Sequence, residues 1–298
     1  MSSTLIIQQI FNGFSLGSMY ALIAIGYTMV YGVLRLINFA HGDIMMVGAY
    51  ACLFSMTNFS FPFIPAFCFA VLFSIALGIS IDKVAYKPLR SAPRISLLIT
   101  AIGVSFFLEN FVNVIFTSTP QPFNAPKVLV DPIVINGVRM AILDIIIPIL
   151  TILILLFVLA ILYKSKYGIA IRALAFDVST VQLMGIDANK IISFVFALGS
   201  ALACIGGVFW ASKYPQIDPN MGMLIGLKAF GAAVLGGIGS VTGAVLGGLI
   251  IGFCEVLIVA FVPDLAGYKD GFAFIFLVFI LLFKPTGIMG QDYERSRF

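Results

Sequence analysis

Apolar residues run together in long blocks along this chain, and the few basic residues fall almost wholly between alternate blocks. A bilayer core of roughly 30 Å takes about 20 apolar residues per helical span. At that length the pattern predicts spans over Leu5–Val33, Asp43–Phe59, Phe63–Ile81, Ser96–Phe116, Ala141–Tyr163 and Ile191–Ser212. The Gly-rich stretch Gly226–Val262 is long for one span and short for two, so it reads as a broken hairpin. A last span covers Gly267–Phe283. The expected fold is an all-α polytopic membrane protein with about eight transmembrane helices, forming a single transmembrane domain over residues 1–298.

Composition agrees with that reading. The 298 residues are 61% hydrophobic and only 10% charged, where a soluble domain carries about 25% charged residues. Twelve of the 17 basic residues fall on one side of the threading: Arg35, Lys83, Lys87, Arg90, Arg94, Lys164, Lys166, Arg172, Lys190, Lys284, Arg295 and Arg297. Lys127, Arg139, Lys213, Lys228 and Lys269 fall on the other. Basic loops stay cytoplasmic, so the C-terminus is expected inside and the N-terminus outside. Met1–Ile10 lacks a charged n-region and a cleavage site, and reads as the start of the first span. The net charge of +4 belongs to this topology. No clustered basic face points to nucleic acid.

The loops differ in character. Thr117–Met140, expected outside, carries Pro120, Pro122, Pro126 and Pro132 and is read as extended or turn-rich. Inside, Lys164–Lys190 holds Ile171, Leu174, Val178 and Val181 at helical spacing. Gly168 precedes this helix and Gly185 is its expected stop. Its polar side has only Arg172 and Asp177, too few charges for a surface-lying membrane helix. Docking on a soluble partner and packing on the chain itself both remain open for its apolar stripe.

In the hairpin, Gly239, Gly243 and Gly247 form one row of small residues, and Gly236, Ser240, Ala244, Gly248 and Gly252 another. Such rows let helix backbones approach closely in lipid. Gly236 and Gly237 open the break at 236–240, tolerable only where protein or water lines it. Cys52, Cys68, Cys204 and Cys254 sit in apolar segments without CxxC spacing and read as small packing residues.

Ionisable groups within spans are functional candidates, since each costs about 2.5–3.5 kcal/mol at the bilayer centre on insertion scales. Asn38, His41 and Asp43 lie within six residues of one another, with Gly42 free to break the backbone. Two readings stand. A deep site would aim helix N–H groups at an anionic substrate group; a simple turn would use Asp43 as an N-cap. Glu255 lies inside an apolar helix and is read as a polar internal position on a pathway. Glu109, beside Asn110, is read as structural, and Lys228 as a snorkelling residue near the outer face. No phosphate loop, HExxH or GxSxG occurs, and the single His41 cannot complete a metal pair. No catalytic residue, metal site or cofactor is expected.

Five stretches, in order and without large insertion, carry a resemblance: Phe11–Gly32 (FNGFSLGSMYALIAIGYTMVYG), Ile37–Asp43 (INFAHGD), Ala85–Arg90 (AYKPLR), Lys228–Ser240 (KAFGAAVLGGIGS) and Pro285–Gly290 (PTGIMG). Together they resemble the LivH-type permease subunit of branched-chain amino acid ABC importers. The resemblance implies a multi-pass permease of the bacterial inner membrane, paired with a second related permease subunit. It also implies two cytoplasmic ATP-binding subunits, an external solute-binding protein and an amino acid substrate. Arg172, Ala173, Leu174, Asp177, Val178, Val181 and Gly185 match the segment expected to dock on an ATPase. Asn38, His41, Asp43 and Glu255 are assigned to the substrate pathway, and Gly236, Gly237, Gly239, Gly243 and Gly247 to helix packing. The family often carries Glu in place of Asp43 and Gln near Glu109, so no shared role is carried to Glu109. A permease for urea or short amides would share these motifs. An ion-coupled secondary transporter would also use midplane carboxylates.

Overall fold

A computed structural model describes residues 3–90, 92–135 and 137–290; Arg295 and Arg297 of the topology argument lie outside them. The helices are α1 (Ser3–Leu34), α2 (Ala40–Asn58), α3 (Phe63–Ile81), α4 (Arg94–Phe116), α5 (Lys127–Val130), α6 (Ile142–Lys164), α7 (Lys166–Phe176), α8 (Val178–Leu183), α9 (Ala188–Lys213), α10 (Met221–Gly236), α11 (Val241–Phe261) and α12 (Lys269–Phe283). Four short strands accompany them: β1 (Gln121–Pro122), β2 (Pro132–Ile135), β3 (Val138–Ala141) and β4 (Gln216–Ile217). Among the described residues, seven helical segments are long and apolar enough to cross a membrane, those of α1, α3, α4, α6, α9, α11 and α12. This is a multi-pass helical membrane protein.

Every expected span has its helix, and the ends follow local chemistry. Pro62 and Pro93 stand at the N-caps of α3 and α4. Asp187 caps α9 by accepting from the backbone N–H groups of Asn189 and Lys190. Those bonds, led by the one from Lys190, hold its carboxyl below the ordinary range. α1 stops where Arg35 turns into the left-handed region at φ 51°. The proline-rich loop is more ordered than its composition implies: β2 and β3 form an antiparallel hairpin, and β1 pairs with β4.

The chain divides into two compact units. The first holds Met1–Thr28, Pro126–Leu155 and Lys228–Phe298; the second holds Met29–Ala125 and Leu156–Leu227. In the second unit α2 is the innermost element, buried from Ala40 through Tyr50 and packed by α3, α9 and α4. Its polar residues make it less apolar than a lipid-facing span, which is tolerable because protein surrounds it. Backbone proximity replaces bulk: a Cβ on Gly48 would meet Cys204, and one on Gly207 would meet Met45. Cys52 and Cys204 are buried as packing residues, whereas Cys68 is exposed on α3.

In the first unit α1 and α11 cross so closely that Gly248 faces the Ala21 backbone and Gly252 faces Gly17. The hairpin is confirmed as α10 and α11, with the turn at residues 237–240. Gly236 lies against Gly243, and Gly247 against Ala232. Gly237 and Gly239 do not belong to the packing row. They have φ of 107° and 93° and make the turn itself, a conformation that L side chains rarely adopt. Ser240 then caps α11 by accepting from Gly243 N–H at 3.1 Å.

Candidate functional site

The second unit gathers one polar cluster around α2. Asn38 precedes the helix, and His41 and Asp43 occupy its first turn; all three are at most 2% exposed. Asp43 is not the N-cap. That place belongs to Phe39, with no side-chain capping bond. Nor does Gly42 break the backbone: it is helical, and its missing side chain lets the Gly222 carbonyl of α10 lie against α2. Asp43 Oδ2 accepts from Ser105 Oγ of α4 at 2.5 Å. Its Oδ1 sits 2.7 Å from where a Cβ on Gly222 would stand. Glu109 lies one helical turn beyond Ser105, half-buried. The Asn38 Oδ1 accepts from the Tyr86 hydroxyl at 2.7 Å, while its Nδ2 has no hydrogen-bond partner among the described residues.

This environment explains a buried carboxylate that has no paired Lys or Arg among the described residues. Taking a carboxylate out of water costs several kcal/mol. The start of α10 lies against it at Gly222, and a helix N-terminus carries partial positive charge, worth up to about 2 kcal/mol in a partly buried setting. Ser105 adds a charge-assisted hydrogen bond of about 1.5–3 kcal/mol. Gly222 has to be glycine for this, because a side chain there would occupy the carboxylate's place.

The first unit holds a different arrangement around Glu255. Glu255 Oε2 accepts from the Tyr20 hydroxyl at 2.8 Å and from Lys228 Nζ at 3.0 Å. Its Oε1 is 3.2 Å from Lys269 Nζ. Lys228 Nζ also donates to the Tyr20 oxygen at 3.1 Å and lies 2.5 Å from Asp270 Oδ1. Two cations and two anions close on one another. Lys228 therefore does not snorkel: it is 3% exposed, about 12 Å along α10 from the hairpin turn. Its acidic partners come from α11 and α12, far away in sequence, and hydropathy alone carries no trace of them.

The loop helix also departs from expectation. The segment Arg172–Gly185 is two helices, α7 and α8, parted at Asp177, whose extended backbone (φ −154°, ψ 114°) ends α7. Gly168 lies inside α7 and does not precede it; Ser165 is the cap, accepting from Gly168 N–H at 3.0 Å. Gly185 is the stop, with φ 80° and its N–H bonded to the Gln182 carbonyl at 3.0 Å. The predicted apolar stripe turns inward, with Ile171, Leu174 and Val181 at most 5% exposed; the Val178 side chain lies outside the described residues. Ala173 is half-buried, and the exposed Arg172 stacks over Tyr163 at 5.1 Å. Among the described residues from α7 to Gly185, the large apolar side chains left exposed are Tyr167, Ile169, Phe176, Leu183 and Met184. Arg35 Nη2 donates to the Ala175 carbonyl at 2.7 Å, fastening the end of α7 to the end of α1.

A second polar clamp, which the sequence reading missed, joins the end of α3 to the start of α9. Buried Asp82 pairs with Arg90 and accepts from Ser193 Oγ at 2.6 Å, while Arg90 donates to Asn189 Oδ1 at 2.5 Å. Among the described residues no cluster of three His, Cys, Asp or Glu could hold a metal.

Residues 9–281 match the family described as branched-chain amino acid transport system, permease component. The chain is 42% identical to the high-affinity branched-chain amino acid transport system permease protein BraD of Pseudomonas aeruginosa, over 96% of each chain. It is 40% identical to the corresponding permease protein LivH of Escherichia coli, again over 96% of each. The solved structure of PsaBC from Streptococcus pneumoniae in complex with Fab aligns over 96% of this chain and 94% of that one. There the identity is 15% and the TM-score 0.49, too distant to carry an argument.

Proposed function

The chain belongs to the branched-chain amino acid permease family, and from that premise we propose that it is the membrane gate of an ATP-driven importer for branched-chain amino acids. The observation that carries this reading is the two-sided character of α7 and α8. One side is fixed to the membrane body by Leu174, Val181 and the Arg35–Ala175 bond; the other presents Phe176, Leu183 and Met184. Such a pair of helices transmits force from a soluble partner, here two cytoplasmic ATP-binding subunits. The chain holds no nucleotide motif of its own. A second related permease subunit completes the pore, and an external solute-binding protein delivers the amino acid. The N-terminus is outside and the C-terminus inside. Asn38, His41, Asp43 and Glu255 are assigned to the route.

ATP drives the cycle because a ligand that binds two states equally shifts neither. The subunits' closure moves α7 and α8 and switches the cavity between outward and inward access. Selectivity resides chiefly in the binding protein, so modest affinity along the route suffices. The test is uptake of labelled leucine into vesicles. Concentrative uptake is expected only with ATP and all companions present. Uphill uptake by the purified chain alone, or uptake of urea and not of leucine, would refute the reading.

A further inference from the structure

Resting on the reading of the chain as an amino acid permease, we propose that Lys228 and Glu255 form a zwitterion-binding pair. In this structure the start of α12 occupies that pair. Lys269 and Asp270 are neighbours in sequence and carry one ammonium and one carboxylate. Their pairing is crossed: the Lys269 ammonium meets Glu255 Oε1 at 3.2 Å, and the Asp270 carboxylate meets Lys228 Nζ at 2.5 Å. A free α-amino acid offers the same two charges to the same two partners.

The network is also built to come apart. The side chains of Lys228 and Glu255 are each 4% exposed, those of Lys269 and Asp270 44% and 33%. Separation at the start of α12 leaves two neutral halves, a buried Lys228–Glu255 pair and a solvated Lys269–Asp270 pair. No buried charge is left alone, the outcome that makes breaking most internal ion pairs prohibitive. Tyr20 stays on Glu255 Oε2 and holds the carboxylate in place.

The backbone allows such a motion. Just past its C-terminal end the α12 segment is tied to the hairpin turn by Ile288 N–H on Leu235 O at 2.9 Å and Met289 N–H on Gly236 O at 2.8 Å. Along the helix Ala273 is the only buried residue. Near its start, open space surrounds Gly267 and Gly271. α12 is thus anchored at one end and held by exchangeable charges at the other. When it swings, the substrate carboxylate takes Asp270's place on Lys228 and the substrate ammonium takes Lys269's place on Glu255. No covalent bond forms or breaks and no proton moves.

The experiment is amide hydrogen exchange over residues 263–272, read in the full complex in lipid nanodiscs. Leucine, leucinamide (cation only) and 4-methylpentanoate (anion only) are compared. Leucine is expected to speed exchange about tenfold, the effect of a 1.4 kcal/mol shift, and the half-charged analogues to leave it unchanged. Lys269→Gln with Asp270→Asn spares the buried pair, removes the competitor and lowers the leucine concentration for half-maximal uptake; Glu255→Gln raises it. Leucine uptake by a complex whose 263–272 exchange ignores leucine overturns this site and leaves the permease reading standing. Absence of leucine uptake by the unaltered complex overturns both.

Discussion

Asp43, in the first turn of α2, and Glu255, well inside α11, are both buried carboxyl groups, yet they are kept there by opposite means. Asp43 has a hydroxyl and the start of a helix, with no paired cation among the described residues. Glu255 has two lysines and a tyrosine, and every oxygen is engaged. A carboxyl group held by a neutral hydroxyl has no counter-ion to displace before a partner can approach it. One held by counter-ions shows its charge only when a partner leaves. The two sites therefore make different demands on a mutation, and the comparison is testable.

The largest expected effect belongs to Lys228→Met. It removes one of two cations from a buried carboxylate, and breaking such a pair costs about 3–5 kcal/mol. Thermal unfolding in detergent should show it as a large loss of stability. Adding Glu255→Met restores a neutral interior and should recover most of that loss. If the double variant is no better than Lys228→Met, the ion pair is not what makes the site fragile. Asp43→Asn should behave otherwise. It keeps an acceptor for Ser105 and leaves no charge unpaired, so stability should change by about 1 kcal/mol or less while leucine uptake falls sharply. Uptake at the unaltered level would remove Asp43 from the route.

The smallest effect on stability is expected at α8. Leu183 is 89% exposed, and surface changes usually stay within about 0.5 kcal/mol. Leu183→Asp should leave folding intact and abolish co-purification of the ATP-binding subunits. Leu174→Pro breaks α7 as well as a buried contact, so it should lose both recruitment and stability. Retained recruitment in Leu183→Asp would move the docking surface elsewhere.

The spans were legible because lipid imposes a length and an apolar composition that each block satisfies separately. The hairpin was legible for a similar reason, since glycine rows are local signals. Lys228 was misread because its neutralising partners, Glu255 and Asp270, come from other helices. A single basic residue in an apolar run looks the same whether it snorkels or is paired. The stripe of α7 and α8 is visible in its spacing, but spacing cannot tell an inward face from an outward one. The break at Asp177 and the cap at Ser165 moved both ends of that helix by a few residues. Gly42 and Gly222 illustrate the same limit. Glycine marked a special position in the sequence, and only the packing told that it was a close approach and not a broken backbone.

For α7 and α8 to transmit force from the ATP-binding subunits, α8 has to face the cytosol and meet them there. A single cysteine at Leu183→Cys, placed in a background lacking the four native cysteines, tests that with a membrane-impermeant maleimide on sealed vesicles of known orientation. Labelling is expected only from the cytoplasmic side, and it should fall when the ATP-binding subunits are bound. Labelling from the external side would contradict the account.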